Sequence, residues 1–355
     1  MKSNKDRMMK LNRYRIVVAI AAALVFAAGN AAAQTKVRFQ MDFVPQGLYA
    51  GFFYAQAKGY YAAEKLDLEL IDGKGSALTV ENLAGGNIDI GEASSGVAAL
   101  AIGQGREIVS VGMFLGKSTW GFFVPKDSGI TSIKSLAGKS LVMTPGTPEA
   151  LLLPAVFNLA GVNFEKDVKT ISVEAAQKLT TYARGVGDAM VTSLPYGDAI
   201  VQPLRASNTL QWTDVGFVLP DYSFLAQRST LEAHPDMIAA FLRATYRGLA
   251  EATAHPEDAV ASVVKARPLV KPEVAKEQWR EYITYFCSDS MAGKPLGEHA
   301  ADDWSRGLKT LQEYAGLKGP LDPGRFYTNQ FFTGGNAVSK TACGKGSYAP
   351  GKAAD

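Results

Sequence analysis

Histidine and cysteine are scarce, with three and two residues in a chain of 355. His234, His255 and His299 are too far apart for a metal-chelating spacing. The first two precede proline near helix starts, where a capping or surface role accounts for them. Nucleotide loops are missing as well. "GKS" occurs at Gly116 and Gly138, but Val111 and Ile133 stand where the phosphate loop needs glycine. "GKGSAL" from Gly73 carries Leu78 in place of the third glycine of the dinucleotide fingerprint, and "GEASSG" has Glu92 two residues before Ser94, where a nucleophile elbow has glycine. No cofactor is expected. Acyl transfer would need a histidine base from a distant part of the chain, which sequence alone leaves open.

A long apolar run is also lacking. Ile16–Ala28 falls short of the roughly 20 residues that span a bilayer. It follows Lys2, Lys5, Arg7, Lys10, Arg13 and Arg15 and leads to "NAAAQ", the layout of a secretory signal, here read as residues 1–33 with cleavage after Ala33. No cysteine follows to accept a lipid, so a soluble periplasmic protein is expected. Setting aside the six basic residues and Asp6 takes the positive and negative counts from 37 and 34 to 31 and 33. The basic balance therefore belongs to the leader, and the remainder gives no argument for nucleic acid. In an oxidising compartment Cys287 and Cys343 can pair and pin the tail "GGNAVSKTACGKGS"; two separate thiols are the alternative.

What is present is alternation. Strand-like segments at Lys36–Asp42, Leu66–Ile71, Asn87–Gly91 and Ile108–Phe114 are separated by helical stretches at Leu48–Ala57, Ala77–Leu83 and Val97–Ile102, which indicates an α/β lobe with a mainly parallel sheet. A second lobe of the same kind begins after "TWGFFVPKDSGI". The division predicted is 34–122 for the first part of lobe 1, 123–220 for lobe 2, 221–330 for the return to lobe 1 and its C-terminal helices, and 331–355 for the tail. Met237, Phe241, Leu242 and Leu249 recur at helical spacing and read as core. Two extended crossings, Met113–Val124 and Gly216–Phe224, would leave a cleft between the lobes.

Ligands of such sheets sit beyond the carboxyl ends of the strands. That edge holds "DFVPQG", Gly75-Ser76, Ser94-Ser95 and Thr144-Pro145-Gly146-Thr147-Pro148, each about to start a helix whose free N–H groups favour polar or anionic acceptors. Ser and Thr there are also ordinary N-caps. Phe43, Tyr49, Trp120, Tyr196 and Tyr222 fall in loops and crossings, where a flat ring could stack, with Asp42 or Glu149 accepting its N–H groups.

Several runs resemble one family: the opening "DFVPQGLYAGFFYAQAKGYYAAEKLDLELIDGKGS", then "LAGGNIDIGEASS", "SIKSLAGKSLVMTPGT", "HPDMIAAFLRATYRGLAEA" and "FYTNQFF". They are similar to the substrate-binding proteins of ABC importers for thiamine-pyrimidine precursors, alkanesulfonates, taurine and nitrate. The resemblance implies a two-lobed periplasmic binding fold of type II, monomeric, that closes on one small solute and delivers it to an inner-membrane permease and its ATPase. It implies ligand contacts from Asp42, Phe43, Gln46 and Tyr49, from Gly75, Ser76, Ser94 and Ser95, and from Trp120. Further contacts are implied from Thr144, Gly146 and Thr147, from Ser193 and Tyr196, and from Tyr222. "DFVPQ" looks most like the pyrimidine-precursor branch, with Phe43 where that branch more often has tryptophan. The same family contains yeast-type pyrimidine synthases with a cysteine-rich iron-binding run, and no such run occurs here.

Overall fold

Acidic and apolar residues alternate through "LDLELI", and burial alternates with them over its first four positions, as expected of a strand with one face on a core. The computed structural model describes residues 34–335, 337–344 and 347–353, so the expected leader 1–33 lies outside the described residues. The first lobe holds strands β1 (Thr35–Gln40), β2 (Leu66–Ile71), β3 (Ile90–Ser94) and β4 (Ile108–Leu115). The second holds β5 (Trp120–Pro125), β6 (Ser140–Met143), β7 (Lys169–Ser172), β8 (Ala189–Ser193) and β9 (Ser207–Gln211); β10 (Tyr222–Gln227) then returns to the first. The two sheets run β2-β1-β3-β10-β4 and β7-β6-β8-β5-β9.

Each sheet is mixed rather than mainly parallel. β1 and β3 are parallel, but β10 is antiparallel to both β3 and β4. In the second sheet β6 runs parallel to β7 and β8, while β5 runs antiparallel to β8 and β9. β5 and β10 are the strands that the crossings feed, and they enter their sheets from the cleft side. Their first residues therefore stand beside the last residues of their neighbours: Trp120 opposite Ser193, and Tyr222 opposite Ser94. The sequence places the third strand at Asn87–Gly91, three residues too early. The segment "IGEAS" is buried at every position, so the charge of Glu92 masks a strand with neither face in water.

One apolar core runs through both lobes, and a smaller cluster of Phe123, Val142, Leu179, Tyr182, Met190, Leu194 and Val201 covers the other face of the second sheet. Phe241, Leu242 and Leu249 of the helix Pro235–Ala254 are buried in the main core, and this helix packs on Ala50–Ala57. His234 and His255 do occupy N-cap positions, yet neither side chain makes a capping hydrogen bond. The later helices do more than return to the first lobe. Pro272–Tyr282 touches Gly47–Tyr49 of the first lobe and Leu194–Val201 of the second, and Ala301–Tyr314 touches both Ser95–Gly103 and Pro148–Leu159. Periodicity reveals that such helices have an apolar face but not which surfaces will meet it.

A disulfide joins Cys287, just beyond these contacts, to Cys343 in strand β11 (Thr341–Gly344), across a separation of 56 residues. Replacing both cysteines by serine is expected to lower the unfolding free energy by about 4 kcal/mol on the chain-entropy account, read as a lower midpoint in urea denaturation against the oxidised chain.

Candidate functional site

The loop after β1 turns back under the loop after β2, and backbone contact fixes the two together. Gly75 N–H donates to the Asp42 carbonyl at 2.6 Å, and Gly73 N–H donates to the Phe43 carbonyl at 3.1 Å. Gly73 lies so close that a β-carbon there would sit 2.0 Å from the Met41 carbonyl oxygen. Gly75 adopts φ 108°, which side-chain-bearing residues rarely do, before the helix Ser76–Ala84 begins. The result is a cavity of about 260 Å³ between the two loops and the second lobe.

Asp42, Phe43, Gln46, Tyr49 and Gly75 line it from the first lobe, and Thr144, Gly146, Thr147, Ser193 and Tyr196 from the second. Trp120 and Tyr222, the first residues of the two strands that follow the crossings, close its back. Phe43 and Tyr196 meet edge to face across the cleft with ring centroids 6.5 Å apart. Three of the residues expected here do not line the cavity. Ser76 lies beneath it and donates its hydroxyl to Asp42 Oδ1, while accepting the Ser94 N–H at 2.9 Å. Ser95 turns away and pairs with the Ser223 hydroxyl at 2.6 Å. These serines are buried at the first turns of their helices, so they brace the wall instead of facing the space.

Sequence reasoning missed the charged and polar groups that complete the wall. Lys178, from the helix Ala175–Ala183, lines the cavity and donates to Glu149 Oε1 at 2.5 Å; both are almost fully buried. Tyr282 reaches in from the C-terminal region and shares a 3.0 Å hydrogen bond with Ser193. Asp221, behind Trp120, accepts from Trp120 Nε1 at 2.7 Å, from Thr119 Oγ1 at 2.6 Å and from Thr119 N–H at 2.8 Å. Glu92 accepts the Asp42 N–H at 2.6 Å. A buried acid in an apolar stretch, as in "IGEAS" and "LPDYSF", was the available signal. Lys178 has none, since "AAQKLTTYA" reads as an ordinary surface helix.

This wall holds more carboxylates than cations. Burial raises Asp42 to about 7; the Ser76 and Tyr222 hydroxyls pull against that, while the charges of Glu149 and Asp221 push further up. Burial likewise lifts Asp221 to about 6, opposed by its bonds from Thr119 and Trp120, and it drives Glu92 well above the carboxylate range, with Asp42 adding to the effect. On the opposite lobe, Glu149 lies in the first turn of the helix Pro148–Leu159, where its charge answers the free N–H groups that an external anion would otherwise satisfy. Two acceptor atoms, Thr144 Oγ1 and Gln46 Oε1, are buried without a partner in the cavity wall.

A second constellation has the connectivity of a nucleophilic triad. Ser110 Oγ lies 2.6 Å from His299 Nε2, and His299 Nδ1 lies 3.0 Å from Asn329 Oδ1. Both Ser110 and His299 are buried at 0% and 1% exposure, so no substrate carbonyl can reach them, and the imidazole is stacked on Tyr327 at 4.8 Å. The unit ties the C-terminal segment to β4. Burial holds His299 down at about 3.

Two outcomes are expected. Lys178→Met should destabilise the fold by about 3–5 kcal/mol because Glu149 is left buried and unpaired, and the double variant Lys178→Met/Glu149→Leu should recover most of that loss in a urea-denaturation cycle. His299 stays neutral in the folded chain while the unfolded chain protonates it below about 6.5, so it makes stability fall as pH drops from there toward 3. Unfolding free energies measured across that window should show a smaller acid loss in His299→Gln than in the parent.

Comparison with known proteins follows the same lines. Residues 46–259 match the family model described as NMT1/THI5 like. The riboflavin-binding protein RibY of Chloroflexus aurantiacus is 24% identical over 313 residues, covering 85% of this chain and 87% of that protein. A 4-amino-5-hydroxymethyl-2-methylpyrimidine phosphate synthase of Legionella pneumophila is 21% identical over 310 residues, covering 84% and 92%. The periplasmic aliphatic sulphonate binding protein SsuA of Escherichia coli superposes with a TM-score of 0.66 at 17% identity, covering 84% of this chain and 94% of that one, and so shares its two-lobed periplasmic-binding-protein fold. With the match spanning both lobes and the return strand, the chain belongs to the NMT1/THI5-like family.

Proposed function

We propose that this chain is the periplasmic, non-enzymatic solute-binding component of an ABC importer, and that its lobes close on one small flat nitrogen heterocycle of the pyrimidine or thiamine-precursor type. The observation that carries this reading is the cavity itself, lined from both lobes and both crossings by aromatic rings and hydrogen-bonding groups. A solute in that position contacts both lobes only when they are closed, so its binding energy favours closure. Permease and ATPase partners, and export through the N-terminal leader, belong to this reading.

Size and charge narrow the solute. About 260 Å³ lies below the roughly 300–1,000 Å³ of sites for drug-sized ligands, which favours a single ring over a tricyclic system such as a flavin. A sulfonate, taurine or nitrate is the alternative, and the helix start at Thr147-Pro148 favours it. Glu149 already sits in that first turn and Lys178 is paired to it, which leaves no cation free on that side for an anion. An enzyme like the pyrimidine synthases among its relatives is the reading of another class. Against it, the Lys178 amine is engaged by Glu149, and among the described residues no group of three His, Cys, Asp or Glu side chains is arranged to hold a metal ion.

Calorimetry of the purified chain against pyrimidines, riboflavin, taurine, an alkanesulfonate and nitrate tests the proposal. A monocyclic heteroaromatic should bind without being converted; turnover, or preference for nitrate or a sulfonate, would overturn it. Phe43→Ala and Tyr196→Ala should each weaken that binding by about 1–3 kcal/mol, by analogy with base–aromatic stacking.

A further inference from the structure

Charge in the cavity wall is lopsided in a way that neither the heterocycle reading nor any relative's name addresses. Asp42 and Glu149 face it from opposite lobes, and Glu92 and Asp221 stand directly behind the wall. The one buried cation is Lys178, already spent on Glu149; Lys74 also borders the space but is exposed to solvent. Neither Oδ atom of Asp42 meets a cation. Its bonds come from the Ser76 hydroxyl and, at 3.4 Å, from the Tyr222 hydroxyl, neutral donors that orient a carboxylate without balancing it. Thr144 Oγ1, on the second lobe and 91% buried by residue, has no hydrogen-bond partner among the described residues and is open to a ligand N–H. A carboxyl buried without a cation is costly to ionise, so a cation entering the cavity gains by pairing with it.

Resting on the heterocycle reading, we infer that the solute is held as a cation: a flat nitrogen base whose protonated edge pairs with Asp42, with a further N–H given to Thr144 Oγ1. Anions find no charge partner there, since the buried Lys178 amine is held by Glu149 and Asp42 offers only a carboxyl. Neutral rings that present carbonyl acceptors on that edge meet only the protonated carboxyl, gain one neutral hydrogen bond and no charge pairing, and bind more weakly.

The arrangement has a proton ledger. Without a cation, Asp42 sits among Glu92, Glu149, Asp221 and the phenols of Tyr49 and Tyr222, with Lys178 beyond Glu149 and Lys74 at the rim; burial first, and then Glu149 and Asp221, favour its protonated form. When a ligand that is already protonated pairs with it, the Asp42 O–H bond breaks, the electron pair stays on the carboxylate and the proton goes to buffer.

The test uses three pyrimidines on the full chain: 2,4-diaminopyrimidine, a base whose edge carries donors; uracil, of the same shape with neutral carbonyls; and orotate, an anion. Calorimetry at pH 6 in two buffers of different ionisation enthalpy should show diaminopyrimidine binding with release of about one proton, from Asp42 at about 7 in the free site. Uracil should bind at least about tenfold more weakly and orotate not at all. Asp42→Asn, which keeps the shape, should weaken diaminopyrimidine roughly 10- to 100-fold and abolish the proton release. Equal binding of diaminopyrimidine and uracil, preference for orotate, or an Asp42→Asn variant unchanged in affinity would overturn the charge assignment while leaving a heterocycle receptor standing. Binding of none of the three would remove the heterocycle reading and this inference with it.

Discussion

The carboxylate of Asp221 is where the two halves of the molecule are tied. It sits on the returning crossing and accepts three hydrogen bonds from Thr119 and Trp120 on the outgoing one. Its own backbone N–H donates to the Leu115 carbonyl at 3.0 Å, and its carbonyl accepts from Ser95 at 2.7 Å. These bonds set the crossings side by side, and that spacing places Trp120 and Tyr222 at the head of their strands and hence at the back of the cavity. A buried acid without a cation is held in place by the density of donors around it, which makes the hinge region a rigid reference against which the lobes are arranged.

From that reference the site is assembled by backbone rather than by long side chains. Glycine at 73 and 75 lets two loops of the first lobe interlock, the Ser76 hydroxyl under the wall fixes the Asp42 carboxylate, and a helix start on the second lobe presents Thr144 and Glu149 opposite it. The same helix start that suits anions elsewhere is answered internally here, by Glu149 and Lys178.

The α/β alternation and the positions of most cavity residues were legible in the sequence, because strand ends and glycine-rich loops are local signals. Ser76, Ser94 and Ser95 carried the same signal and point elsewhere: a hydroxyl at a helix start can face the ligand or the protein, and the choice depends on neighbours such as Ser223 that lie far away in the chain. Lys178 and Tyr282 were invisible for the converse reason, since ordinary helix residues acquire their role only through tertiary placement. The mixed sheets also escaped reading, because strand direction in β5 and β10 is decided by where the crossings enter.

The helix Pro272–Tyr282 runs along the edge of the cavity and packs on both lobes. Against the first lobe it is seated without slack: a β-carbon on Gly47 would fall 2.3 Å from the Ala275 carbonyl oxygen, and Gln278 Oε1 accepts the Gly47 N–H at 2.9 Å. Toward the second lobe it packs on the helix Leu194–Val201, where Glu281 bonds to Asp198 and the Tyr282 hydroxyl lies 3.0 Å from that of Ser193. The rod is therefore seated on both sides of the cavity and bridges the two lobes there. Tyr282 stands at the cavity end of that rod, so the C-terminal third of the chain supplies part of the wall and not only its casing.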